Sequence, residues 1–154
     1  EELKRLGIER VEMEMPAIPE ELRDLPLTKA SKELLGAIEG KNRVIEIGGP
    51  DSWVVGHLDS IPAEASVFVT GPLEPDIILL RENPSKIAAL EEFLHGTQRQ
   101  IANLKDQDRV ILELHVKDFM IRHRRMLGLS DDDAQMLEAL KLEELKRAEM
   151  QGYR

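Results

Sequence analysis

Glu91, Glu92 and His95 stand in the order Glu-Glu-x-x-His inside a segment whose apolar spacing predicts a helix. One substitution separates this from His-Glu-x-x-His, in which two histidines one turn apart hold zinc and the glutamate serves as general base. Glu92 and His95 keep their places and Glu91 takes that of the first histidine. At about 100° per residue, Glu91, His95 and Gln98 share a face beside the apolar stripe of Ile87, Leu90, Leu94, Thr97 and Ile101. Glu92 lies next to them, further from the core. A metal bound there sits at the edge of the buried surface, held by the core and open to a substrate.

One helix supplies two such ligands, so a third comes from another element. The run Val110 to Ile121 is apolar nearly all round, which marks a central helix, and Glu113 stands in its middle. A carboxylate there needs an opposite charge, hydrogen bonds or a metal. Antiparallel packing through a connection near Asn103 to Asp108 brings Glu113 level with His95 to Gln98 and makes it the expected third ligand. His115 is its rival, about 200° away on the same helix, so the two do not reach one metal together. Lys117, one turn beyond Glu113, offers a competing account in which an ion pair neutralises the carboxylate. Gln98, Lys117 and His115 are thus expected around the ligands.

The elements that must position these groups change character halfway. Residues 1–81 hold seven of the eight prolines and read as short strands and turns, while residues 84–154 read as three helices. This is an α+β order in a single domain spanning 1–154, with a small antiparallel or mixed sheet followed by helices. Strands are expected at Val11 to Met15, Arg43 to Ile47, Trp53 to Val55, Ala65 to Thr70 and Asp76 to Leu80, and a helix at Leu27 to Gly40. The run Ile77-Ile78-Leu79-Leu80 suggests a strand covered on both faces. Asn83 before Pro84 caps the motif helix, and Asp106 or Asp108 opens the next, which runs to about Met126 with Gly128 past its end. Ser130 to Asp133 forms a capping box at the start of a last helix, 131 to about 150. Leu142, Leu145 and Ala148 on that helix form a stripe that packs on the domain or faces a partner.

Composition narrows the chemistry. Zero cysteines exclude a disulfide scaffold, thiolate ligands and a cysteine nucleophile, leaving His, Asp and Glu for any metal. A net charge of −9 argues against binding a phosphate backbone, and Arg122-His123-Arg124-Arg125 is too short to reverse that. No apolar run reaches the roughly 20 residues that span a bilayer. The chain begins at Glu1 and is read as a fragment or processed domain, either cytoplasmic or delivered within a larger secreted chain. His57 and His123 read as satisfied polar residues, and Asp51, Ser52 and Asp59 as turn residues. Gly48-Gly49-Pro50 lacks the spacing and the following helix of a phosphate loop, and no serine-nucleophile elbow is present.

Three runs together resemble a known family: Pro75 to Leu80, then Asn83-Pro84-Ser85, then Leu90 to Gln98. With Glu113 to Arg122 and Leu127-Gly128-Leu129, residues 75–140 are similar to the zincin-like metallopeptidase domains at the C-termini of bacterial polymorphic toxins. The resemblance implies a zincin-like fold in which an edge strand shapes a substrate cleft. It implies a divalent metal, zinc first, bound by Glu91, His95 and Glu113, with Glu92 activating a water. It further implies a peptide or protein substrate and a cognate immunity protein. The alternative is a non-catalytic acidic binding module, a degenerate form of that fold or an immunity or adaptor protein.

Overall fold

A computed structural model describes residues 11–69, 74–98, 108–150 and 152. Its strands are β1 (Val11–Pro16), β2 (Arg43–Gly48), β3 (Ala63–Val69) and β4 (Asp76–Arg81). Its helices are α1 (Lys32–Glu39), α2 (Trp53–Ser60), α3 (Lys86–Gln98), α4 (Arg109–Arg122), α5 (Arg124–Leu127) and α6 (Asp131–Met150). The strands form one mixed sheet in the order β1-β3-β4-β2, antiparallel at β1–β3 and β3–β4 and parallel at β4–β2. The α+β class read from the sequence is the architecture found. The strand at 65–70 is described only to Val69, and Asp106 and the 103–107 connection lie outside the described residues.

The sheet is covered on both faces because β4 alternates apolar residues in both directions. Ile78 and Leu80 join Met13, Met15, Ala65 and Val67 under α3, whereas Leu79 joins Ala63 and Phe68 under Val54 and Leu58 of α2. Beyond α3 lie α4 and then α6, which contributes Met136, Leu137 and Leu140 to the larger core. A helix in the middle of this stack is the most deeply buried. That helix is α3, not α4: Ile111 and His115 on α4 are exposed.

Several local expectations change. Trp53 to Val55 begins a helix instead of a strand, because the Ser52 hydroxyl accepts the Val55 N–H (3.3 Å) and Val54 and Leu58, one turn apart, pack on the sheet. A helix therefore does follow Gly48-Gly49-Pro50. The N-cap of α3 is Ser85, whose hydroxyl accepts the Ala88 N–H (3.1 Å), while Asn83 takes a left-handed turn at φ 51°. α4 stops at Arg122, where the His123 ring folds onto Phe119 at 4.5 Å, and the four-residue α5 ends at Gly128 in the left-handed region. On α6 the buried stripe is Met136, Leu137, Leu140, Glu144 and Ala148, so Leu142 and Leu145 face solvent.

Candidate functional site

The position of α3 is fixed at both ends. Its start is tied to the 28–30 segment by Lys86 N–H donating to the Thr28 carbonyl (2.7 Å) and Ala30 N–H to that of Pro84 (2.9 Å). Near its end Gly96 lies against the buried Asp76–Arg43 ion pair (2.9 Å), and a β-carbon there would collide with the Asp76 carboxylate. Arg43 also donates to the Thr97 hydroxyl (3.1 Å) and stacks over the Phe93 ring at 4.8 Å. Glycine at 96 is thus the condition for the helix to sit close enough to be braced by β2 and β4.

Bracing of α3 against α4 aligns the motif. Gln98 Nε2 donates to the Leu112 carbonyl (2.9 Å) and to His115 Nδ1 (3.0 Å), which uses both amide hydrogens. Its Oε1 must then accept, so the 2.8 Å contact with His95 Nδ1 is an Nδ1–H donation. The imidazole is therefore oriented with Nε2 turned toward Glu113 Oε2, 3.4 Å away. Metal-binding histidines are commonly oriented by an acceptor on the second ring N–H, a carboxylate, backbone carbonyl or water, and the Gln98 amide oxygen stands in that position here.

Glu91, His95 and Glu113 form a buried group able to hold a metal ion, with one donor atom of each within 4.8 Å of the others. Tetrahedral zinc with ligands at about 2.0–2.2 Å needs donor separations of about 3.4 Å, so the widest separation must close by at most about 1.4 Å. Five atoms of the motif are buried without a hydrogen-bond partner: Glu91 Oε2, both oxygens of Glu92, Glu113 Oε1 and His95 Nε2. Native interiors leave few such atoms, and the four carboxylate oxygens among them are acceptors that a cation would satisfy.

A cation is already there. Lys117 Nζ donates to Glu91 Oε1 (2.5 Å) and Glu113 Oε2 (2.7 Å), and the side chain is fully buried. The expected Lys117–Glu113 pair forms and extends to Glu91. Glu144 of α6, buried where α6 packs on α4, is a fourth carboxylate in this neighbourhood, bonded to Arg147 (3.3 Å). The sequence reading missed it. Its signal was a charged residue on an apolar stripe, four residues after Leu140 and four before Ala148.

Electrostatics separates these groups. Burial alone would lower the Lys117 pKa, but Glu91 and Glu113 outweigh it and hold the ammonium charged. Burial would raise that of Glu113, yet His95 and Lys117 bring it down to about 2. Burial opposes the charge of His95, and Glu113, with help from Glu91 and Gln98, raises its pKa nonetheless. Glu92 has no such partner: burial, then the negative charges of Glu91 and Glu113, push its pKa well above 4.5 and favour the protonated form.

The residues singled out from sequence divide accordingly. Glu91, Glu92, His95, Gln98, Glu113 and Lys117 come together, and His115 reaches the group only through Gln98. Burial is the difference: the expected solvent-open edge is closed, and Glu91, Glu92 and His95 are all 0% exposed. Packing of α3 between sheet and α4 closes the side on which Glu92 was expected to face outward. His57 is a satisfied polar residue bonded to Glu12 (2.7 Å). No helix among the described residues is long and apolar enough to cross a membrane. Comparison of the chain with protein-family models, curated proteins and solved structures gives no match.

Proposed function

We propose that this chain is a metal-dependent hydrolase of zincin-like type, a peptidase acting as a toxin or effector domain and countered by an immunity protein. Glu91, His95 and Glu113 would hold the metal, zinc first. The observation that carries this reading is His95: its ring is oriented by Gln98, and its Nε2 faces Glu113 beside four buried carboxylate oxygens that have no hydrogen-bond partner. The donor set suits zinc, with one imidazole and two carboxylates. When bound, a divalent ion supplies an acidified water and a Lewis acid. Gln98 keeps the His95 ring oriented. Glu92 is the base, and a nearby cation favours its ionised form, opposing the burial and the negative charges of Glu91 and Glu113 that raise its pKa.

Lys117 and the closure of the site favour a second reading, a non-catalytic binding module in which the ammonium permanently replaces the metal. The two part on metal binding. After EDTA treatment and dialysis, calorimetric titration should show one zinc per chain, and zinc at 100 times its Kd should add about 2.7 kcal/mol of stability. Glu92→Gln should keep that binding and lose hydrolysis of an unfolded protein such as casein. Absence of zinc and manganese binding, with a melting temperature indifferent to both and to EDTA, would leave the second reading standing alone.

A further inference from the structure

A cavity of about 150 Å³ lies between α3 and α4 beside the charged group, walled by Leu94, Thr97, Gln98, His115, Val116 and Phe119. It presents carbon to whatever enters. The amide of Gln98 is saturated by His95, Leu112 and His115, and the Thr97 hydroxyl donates to the Phe93 carbonyl (3.2 Å), so neither offers a free donor. An enclosed apolar cavity of roughly this volume accepts benzene, so the space is enough for one aromatic or large aliphatic side chain. Leu94, Thr97 and Phe119 are half-buried and His115 is exposed, so one side meets solvent and an entering group can remain attached to a chain outside.

The ground next to that opening has the opposite character. Phe119 of the cavity wall meets the His123 ring at 4.5 Å in a tilted contact, and His123 belongs to an open depression bordered by Arg122, Arg124 and Arg125. Arg122 is paired with Asp118 (2.6 Å), but Arg124 and Arg125 have no carboxylate partner among the described residues. In a chain of net charge −9, an apolar cavity linked through the Phe119–His123 ring contact to guanidinium groups without a carboxylate partner among the described residues defines an occupant with both features.

We propose that this composite surface binds an acidic peptide segment, seating one large apolar side chain in the cavity with a neighbouring carboxylate on Arg124 and Arg125. Occupancy is felt at His95, because Gln98 is both cavity wall and the hydrogen-bond partner that orients the imidazole. The cavity, its rim and the Gln98 bonds carry this without any metal. Only the step that makes the bound peptide a substrate rests on the hydrolase reading.

The test uses methyl and imidazole NMR spectra of the whole chain titrated with acetyl-Phe-Glu-amide. Binding should shift the Leu94 and Val116 methyls and the ring signals of both His95 and His115, and acetyl-Ala-Glu-amide should not. Leu94→Phe, which fills the cavity from within, should weaken binding about tenfold or more without lowering the melting temperature. Arg124→Ala with Arg125→Ala should weaken acetyl-Phe-Glu-amide more than acetyl-Phe-Gln-amide. Unmoved methyls, equal binding of the alanine peptide, or full binding by Leu94→Phe overturns the proposal. A sharply destabilised Leu94→Phe means the space is not free and also counts against it, with Val116→Ile as the milder check on the same point. Peptide binding in a chain that takes up no zinc keeps this site and removes the hydrolase reading.

Discussion

Asp133 and Glu92 are both closed to solvent, yet the fold treats the two carboxylates in opposite ways. Asp133 Oδ1 accepts the Thr28 N–H (2.8 Å) and Oδ2 the Ser130 N–H (2.9 Å), while the Ser130 hydroxyl accepts the Asp133 N–H (3.0 Å). This reciprocal cap starts α6 and pins the 28–30 segment to it. Neither oxygen of Glu92 is bonded, and it faces two carboxylates with an ammonium one group away. A saturated carboxylate explains itself as structure. An unsaturated one, costly to bury, asks for a partner or a task.

Lys117 gives the largest expected effect, because its ammonium is the cation that Glu91 and Glu113 share. Lys117→Met leaves Glu91 and Glu113 buried without their shared cation and should cost about 3–5 kcal/mol in metal-free buffer, read from the urea midpoint. Zinc should recover part of that loss if a metal can take the place of the ammonium. A cost under about 1 kcal/mol would show that the cluster is not held by this pair of contacts.

Asp133 should matter less and in a simpler way. Asp133→Ala removes a cap and strands two N–H groups, an expected loss of about 1–2 kcal/mol, insensitive to zinc or EDTA. Burial opposes its charge, but the bonds from Thr28 and Ser130 win and hold its pKa below the ordinary 3.8. Its contribution is therefore full above that pH and fades as pH falls through the lowered folded value. Asp133→Asn should flatten that acid limb of the stability curve. An unchanged limb would assign acid unfolding to other groups, Glu113 first.

The same contrast marks what could be read before the fold was known. Ser130 and Asp133 lie three residues apart and interact locally, so their pattern alone identified the cap. Glu91, His95 and Glu113 were legible because helical spacing and the packing of two successive helices suffice to bring them together. Full burial of the site was not legible, since it depends on β1, β3 and β4 closing one side of α3 and α4 the other. Glu144 escaped for the same reason: its place beside Glu113 and Lys117 is made by the packing of α6 on α4. At Trp53-Val54-Val55 strand propensity pointed the wrong way, and the decisive signal was the single Ser52 cap.

Glu92 supplies the smallest effect on stability and the most telling one. An acid whose folded pKa is raised keeps its proton where the unfolded chain has released it, so its burial is harmless at low pH. As pH climbs above 4.5, the unfolded state gains from ionisation and folded stability falls until the folded group also ionises. This slope has the opposite sign to that of Asp133. Glu92→Gln, neutral at every pH, should change stability by less than about 1 kcal/mol near pH 4 and should remove the decline between there and neutrality. Denaturant titrations of both proteins across that interval make the comparison, first in EDTA and then in zinc. A cation bound at Glu91, His95 and Glu113 stabilises the Glu92 carboxylate and should shrink the wild-type slope toward that of the variant. Parallel slopes for the two proteins in EDTA would mean that Glu92 is already ionised and partnered when the metal is absent, and the contrast with Asp133 would collapse.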